Sequence, residues 1–183
     1  VSEITRITNT FLSDYDVMST FSPPKNKLSF LGFEDVLKNG KIVVLNMNIS
    51  EYSLLSKMIA TYLKLDFQSE VISNLSNGII RPCAFICDEY DKYATKTDGE
   101  FFSLSREAKC INIVSTQSYS SLKNTLKEDA QVQVILQNLI NKIWFRTDDA
   151  FTIEYAQKQL GQEDKEKISK SISESAQKTR FSY

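Results

Sequence analysis

Apolar positions along the chain fall into two recurring patterns. Short continuous runs rich in β-branched residues occupy 41–47, 79–87, 109–117 and 142–146. Between them lie stretches whose apolar residues are three and four apart. The first pattern predicts strands and the second helices. A helix is expected near the amino terminus, where Ile4, Ile7, Phe11 and Leu12 have helical spacing, and Ser22-Pro23-Pro24-Lys25-Asn26 breaks regular structure after it. A short helix over 33–38 is closed by Asn39-Gly40. Leu54, Leu55, Met58, Ile59, Tyr62, Leu63 and Leu65 give a helix over 51–67 a broad apolar face, and 69–77 reads as its tail and a loop. Helices follow over 100–108, 118–125 and 130–139. A last one starts at Asp148-Asp149, two acids suited to a helix N-terminus, and closes on Leu160-Gly161. Residues 162–183 are polar and Ser/Lys/Glu-rich, a frayed helix or an extended tail.

Alternating strands and helices imply right-handed crossovers and a mainly parallel sheet flanked by helices, an α/β fold in one domain. The run from Ile79 to Cys87 is almost wholly apolar and stops on Asp88 and Glu89. It reads as a strand buried on both faces. Carboxyl ends of such strands are where parallel sheets place ligands. An Asp-Glu pair there can hold Mg²⁺ through a water and poise a second water for attack on a phosphate, the form of a Walker B element. The plainer reading is a strand whose charges begin where solvent begins.

Composition narrows the chemistry. The chain has 183 residues, 42% hydrophobic and 25% charged, ordinary values for a globular protein with a real core. A formal net charge of −1 gives no global basic field, so DNA contacts would fall to local lysines such as Lys92 and Lys96 in the loop after Glu89. Solvated loop positions are the alternative for both. There is no histidine, which removes Ser-His-Asp and Cys-His nucleophile pairs and His-ligated zinc. Cys83, Cys87 and Cys110 lie in strand-like runs. Cys83 and Cys87 are too far apart along one strand to bridge, so buried free thiols in a reducing compartment are expected. No apolar stretch approaches the roughly 20 residues of a membrane span, and no signal peptide opens the chain. An opening Val1 reads as a processed or excised segment, here a cytoplasmic domain.

Two downstream residues strengthen the Walker B reading. Gln117 ends the next strand, on the same sheet edge as Glu89, where a glutamine can read a γ-phosphate or the attacking water. Arg106 closes the connecting helix, a position from which it can reach a neighbouring subunit's nucleotide. A solvated strand end and a solvated or acid-paired arginine are the plain alternatives.

Several segments in order resemble a known family. Ala84-Phe85-Ile86-Cys87-Asp88-Glu89, Leu104-Ser105-Arg106-Glu107-Ala108-Lys109-Cys110-Ile111 and Val114-Ser115-Thr116-Gln117-Ser118 are similar to the TraG/TraD-type coupling proteins of conjugation and type IV secretion. Ile135-Leu136-Gln137-Asn138-Leu139-Ile140-Asn141-Lys142-Ile143 and the 148–161 helix closing on Leu-Gly extend the likeness to about 40–161. The resemblance implies a RecA-like P-loop ATPase, hexameric, using ATP and Mg²⁺ to move DNA or protein into a secretion channel. Its expected partners are DNA, relaxosome components and type IV secretion components. By position, Asp88 would hold the Mg²⁺ shell, Glu89 would activate water, Gln117 would sense the γ-phosphate and Arg106 would be a finger acting in trans.

One departure matters. None of the five glycines, Gly32, Gly40, Gly78, Gly99 and Gly161, opens a Gly-x-x-x-x-Gly-Lys-[Ser/Thr] loop, so the phosphates lack their cradle. The resemblance then implies the carboxyl-terminal half of a motor lacking its phosphate-loop half. On that reading 1–35 is a helical lead-in or re-entry segment, 36–161 the RecA-like core and 162–183 a polar tail. The full-length protein would be membrane-anchored, and the isolated chain would not hydrolyse ATP. The competing expectation is a non-catalytic α/β interaction module that docks relaxosome or secretion-channel partners.

Overall fold

The computed structural model describes residues 5–6, 8–9, 12–47, 53–78 and 81–161. Thr5, Arg6, Thr8, Asn9 and Leu12 are helical, as expected near the amino terminus, while Ile4, Ile7 and Phe11, which defined that face, lie outside the described residues. Helix α1 follows at Tyr15–Phe21, where the Asp14 carboxylate accepts from Val17 N–H at 3.0 Å. Such a cap satisfies an otherwise unpaired helix-start donor.

Helix α2, Phe33–Asn39, ends where Asn39-Gly40 places its stop. Gly40 adopts the left-handed conformation, with φ of 63°, and its N–H returns to the Val36 carbonyl. The Arg81 guanidinium donates to the Lys38 carbonyl at 2.6 Å and fills the space that a Cβ at position 40 would take. A Gly40→Ala substitution meets both obstacles. It is expected to lower the unfolding free energy by about 1–2 kcal/mol, read by urea denaturation. An unchanged denaturation midpoint would contradict this account of the turn.

Helix α3 runs from Ser53 to Ser76, so the region past Phe67 is helix tail, and Asn77 and Gly78 form the turn that ends it. Its buried side differs from the expected face. Tyr62 is 69% exposed and Leu54 and Leu65 face outward, whereas Leu55, Ile59, Phe67 and Val71 are buried together with Ser56, Lys64 and Gln68. The stripe thus carries a polar seam at the i, i+4 pair Lys64 and Gln68. Near its start, Leu55 and Ile59 bury Val17 of α1 in a small second cluster that Met47 and Leu63 adjoin. The lead-in helix therefore packs on α3, not on the sheet.

The remaining elements follow in the expected order. Strand β1 is Cys83–Cys87, α4 Asp98–Ser105, β2 Cys110–Val114, α5 Tyr119–Leu126, α6 Asp129–Asn138 and α7 Ala150–Leu160. β1 and β2 pair in parallel from Cys83↔Cys110 to Cys87↔Val114, with α4 in the crossover. Cys83, Phe85, Cys87, Cys110 and Val114 point into the main core, where Phe67 of α3 stacks on Phe85 at 5.8 Å between ring centroids. Phe101, Phe102, Leu122 and Ile135 close it from α4, α5 and α6.

Two strand expectations are overturned. Residues 41–47 and 142–146 are not in strands, and among the described residues the sheet has two strands. Ile42 and Val44 are 91% and 81% exposed, and Ile143 and Phe145 are 83% and 85% exposed. Strand propensity records fitness for a pleated, half-buried surface, and without a neighbouring strand no ladder forms. The expectation that β1 is buried on both faces also fails. Ala84, Ile86, Ile111 and Ile113 form a second sheet face that is exposed, with Ile86 at 72%. The helices that bury the first face leave the second uncovered. The 162–183 tail lies outside the described residues.

Candidate functional site

The carboxyl ends of β1 and β2 are tied by three hydrogen bonds that fix the loop after each strand. Ser115 N–H donates to the Cys87 carbonyl at 3.0 Å, and Tyr90 N–H donates to the Ser115 carbonyl at 2.8 Å. Ser115 Oγ donates a short hydrogen bond to Asp88 Oδ1. The same carboxylate oxygen accepts from Glu89 N–H at 2.9 Å. The Ser115 hydroxyl first, and the Glu89 amide second, hold the Asp88 carboxyl below the usual carboxylate range. Asp88 is therefore anionic at neutral pH and exposed.

Glu89 makes this turn possible. It is one of three non-glycine residues in the left-handed region among the described residues, at φ 47° and ψ 41°. That conformation costs of order 1 kcal/mol or more for a residue with a Cβ. It reverses the chain sharply enough for Tyr90 N–H to reach Ser115. Glycine or asparagine would adopt this conformation with less strain.

Behind the turn lies a buried polar network. The Asp98 carboxylate is fully buried and accepts from Lys64 Nζ at 2.6 and 2.5 Å, Gln68 Nε2 at 3.1 Å, Tyr90 Oη at 2.6 Å, and Thr95 N and Oγ1 at 2.9 and 2.8 Å. Burial pushes the Asp98 carboxyl up, but the Lys64 ammonium and the donors from Tyr90 and Thr95 more than offset it and leave the group ionised. Tyr90 is the residue after Glu89, so α3 and the start of α4 grip the turn directly. Asp91, also buried, accepts from Thr116 Oγ1 at 3.0 Å and adds a second strap to the exit of β2.

The four residues singled out from the sequence separate into two places. Asp88, Glu89 and Gln117 share the carboxyl edge of the sheet, where Gln117 lies in the bend between β2 and the Ser118 cap of α5. Arg106 caps the end of α4, just before β2 begins, and is exposed at the opposite edge. The length of β2, roughly 13 Å for its five residues, stands between. Lys92 and Lys96, the basic candidates of the loop, lie near acids: Lys92 Nζ is 3.7 Å from Asp91, and Lys96 Nζ is 2.7 Å from Glu128.

Ser115 and the Lys64–Asp98 pair were not singled out from the sequence. A hydroxyl at a strand end carries no distinctive signal. Lys64 does carry one: a lysine inside an apolar helical stripe, with Gln68 one turn on, announces a buried partner. Further along, the Asp149 carboxylate caps α7 through Thr152 N–H at 2.9 Å and also accepts from Ser120 Oγ of α5. Thr152 Oγ1 in turn accepts from Tyr119 N–H at 3.0 Å. Those bonds dock α7 on the helix that follows Gln117.

Asp88 can join a Mg²⁺–nucleotide shell, since its Oδ2 receives no hydrogen bond among the described residues and the group is anionic. A single carboxylate holds this ion only together with waters and phosphates, which is the usual manner of Mg²⁺. No cluster of three or more potential ligands occurs among the described residues. Asp88 and Gln117 are exposed at this edge, and two cavities, of about 260 and 230 Å³, lie elsewhere. No helix among the described residues is long and apolar enough to cross a membrane.

Comparison with known proteins gives one family. The model of the TraM recognition site of TraD and TraG matches residues 82–183, more than half of the chain, from the start of β1 onward. No curated protein and no solved structure matches. The matched span contains Asp88, Glu89, Arg106 and Gln117 together with every element after α3, and the chain belongs to this family of TraD/TraG-related conjugation coupling-protein regions.

Proposed function

We propose that the chain is the carboxyl-terminal half of a nucleotide-driven coupling-protein motor, and that Asp88 and Glu89 form the hydrolytic edge of its RecA-like core. The observation that carries this reading is the pair of parallel strands whose carboxyl ends hold an anionic Asp88 against Ser115 and a strained Glu89 beside it. Asp88 orients the water shell of the nucleotide's metal, and Ser115 keeps that carboxylate fixed and charged. Glu89 accepts a proton from the attacking water, and Gln117 contacts the γ-phosphate from the same edge. Magnesium, when bound with ATP, neutralises phosphate charge. Arg106, on the far edge, serves a neighbouring subunit's nucleotide in a hexamer. The uncovered sheet face and the unpaired apolar runs at 41–47 and 142–146 support the same reading, because a phosphate-loop half would supply the missing strands. The cargo of such a motor is DNA or a protein attached to it.

The test joins residues 1–183 to a phosphate-loop segment of the same protein. Mg²⁺-dependent ATP hydrolysis is expected from the joined chain and none from residues 1–183 alone. Turnover by the short chain, or none by a folded joined chain, overturns the proposal.

A second role is favoured by the family description, which names recognition of TraM. On that reading the 82–183 region docks this relaxosome component. Calorimetric titration with TraM is expected to show saturable binding, retained when Glu89 is replaced by Gln. No binding by the folded chain sinks this role without touching the first.

A further inference from the structure

At the end of the sheet remote from Asp88, two cysteines face one another. Cys83 and Cys110 are register partners on adjacent parallel strands. Their Cα atoms are therefore about 4.8 Å apart, inside the roughly 4.4–6.8 Å that disulfides span. Both side chains lie on the core face, where Cys110 is buried in the main cluster and Cys83 packs against it. Cys83 N–H also donates to the Lys109 carbonyl at 3.2 Å, which locks the two strand starts together. Access is one-sided. Cys83 lines the cavity of about 230 Å³ between α2, α3 and β1, with Lys38, Asn74 and Arg81 around it, whereas Cys110 is buried behind it.

We propose that Cys83 and Cys110 are a redox-active dithiol, Cys83 being the nucleophile that a small-molecule disulfide reaches through the cavity and Cys110 the thiol that resolves it into a cross-strand bridge. In the first step the Cys83 thiolate attacks one sulfur of the oxidant. The oxidant's S–S bond breaks, and its other half leaves as a thiolate that takes up the proton Cys83 gave off. In the second step Cys110 attacks Cys83 Sγ in the mixed disulfide. That S–S bond breaks, the second half leaves and takes the Cys110 proton, and Cys83 and Cys110 are joined. The two cysteines lose two electrons, and the oxidant becomes two thiols.

The division of labour follows from access, since Cys83 opens on the cavity and Cys110 is buried. The neighbouring Cys110 thiol lowers the pKa of Cys83, while the neighbouring Cys83 and burial push Cys110 up. Cys87 is not a competitor. Burial pushes its thiol up to about 11, which cuts its thiolate fraction roughly a hundredfold from the ordinary value; the higher nucleophilicity of a more basic thiolate restores only part of that, leaving about a tenfold deficit.

The test exposes the folded chain to excess glutathione disulfide, alkylates remaining thiols and maps the peptides. A Cys83–Cys110 bridge with alkylated Cys87 is expected, reversed by dithiothreitol. Cys110→Ser should accumulate glutathione on Cys83 about tenfold faster than on Cys87. Cys83→Ser should leave Cys110 unmodified. Mapping of the unsubstituted chain decides the matter even if a variant fails to fold. Recovery of Cys83 and Cys110 both alkylated, or a bridge through Cys87, overturns the proposal.

Discussion

Replacing Asp98 with alanine is expected to lower the unfolding free energy by about 3–5 kcal/mol, because the Lys64 ammonium stays buried with no counter-charge. Lys64 and Asp98 side chains are 3% and 0% exposed, and the pair closes at 2.5 Å. Tyr90 Oη and Thr95 N–H lose their acceptor as well, and each stranded donor adds to the cost. Urea denaturation followed by circular dichroism measures the change. A loss below about 1 kcal/mol would mean that water or rearrangement satisfies Lys64. The exposed pair of Lys96 and Glu128 serves as the control, since breaking a solvated ion pair leaves the midpoint nearly unchanged. The sign with pH follows from the depressed Asp98 carboxyl. Its contribution is fully present above the unfolded value of about 3.9 and is lost as pH falls through the lower native value. The alanine variant should therefore show a flatter acid limb below about pH 4.

The second large effect concerns Glu89. In the joined chain that contains a phosphate loop, Glu89→Gln should reduce ATP turnover by at least about a hundredfold while nucleotide still binds. Glutamine has the same shape and leaves the left-handed turn, the Tyr90–Ser115 bond and the Asp98 network in place. Loss of rate without loss of stability is thus a statement about proton transfer. Unchanged turnover would remove Glu89 from the chemistry. Mixing Glu89→Gln subunits with Arg106→Ala subunits extends the same experiment to the far edge. A residue acting across a subunit boundary restores part of the activity in mixed oligomers, whereas one acting within its own subunit does not.

Much of this arrangement can be read from residue patterns. Local signals place the caps at Asp149 and Gly40, the helices from Phe33 to Leu160, and the end of β1 before Asp88, because each depends on neighbours within one turn or one strand, whereas the strand expected to run to Gln117 stops at Val114. Most of the failures involve partners far along the chain. Ile42 to Leu45 and Ile143 have strand composition, yet pairing needs an edge that local pattern does not supply. The outward face of β1 looked buried because Ile79 to Cys87 is uniformly apolar, and uniformity says nothing about how many layers of helix are present. The Lys64–Asp98 bond spans a separation of 34 residues, so the signal of Lys64 within its apolar stripe does not name its partner. The αL geometry of Glu89 was invisible for a different reason: glutamate is a poor candidate for that conformation, so propensity argues against it.

The uncovered sheet has a practical meaning for anyone handling the molecule. β1 and β2 each keep one edge with no strand partner among the described residues, beside a face of Ile86, Ile111 and Ile113. Unpaired backbone next to exposed isoleucine is a template for a second copy of itself. Dilution, cold storage and a fused solubility partner protect such a surface, and concentration works against it. Light scattering that rises with protein concentration, and falls when a lysine replaces Ile113, would trace the loss of soluble material to this sheet.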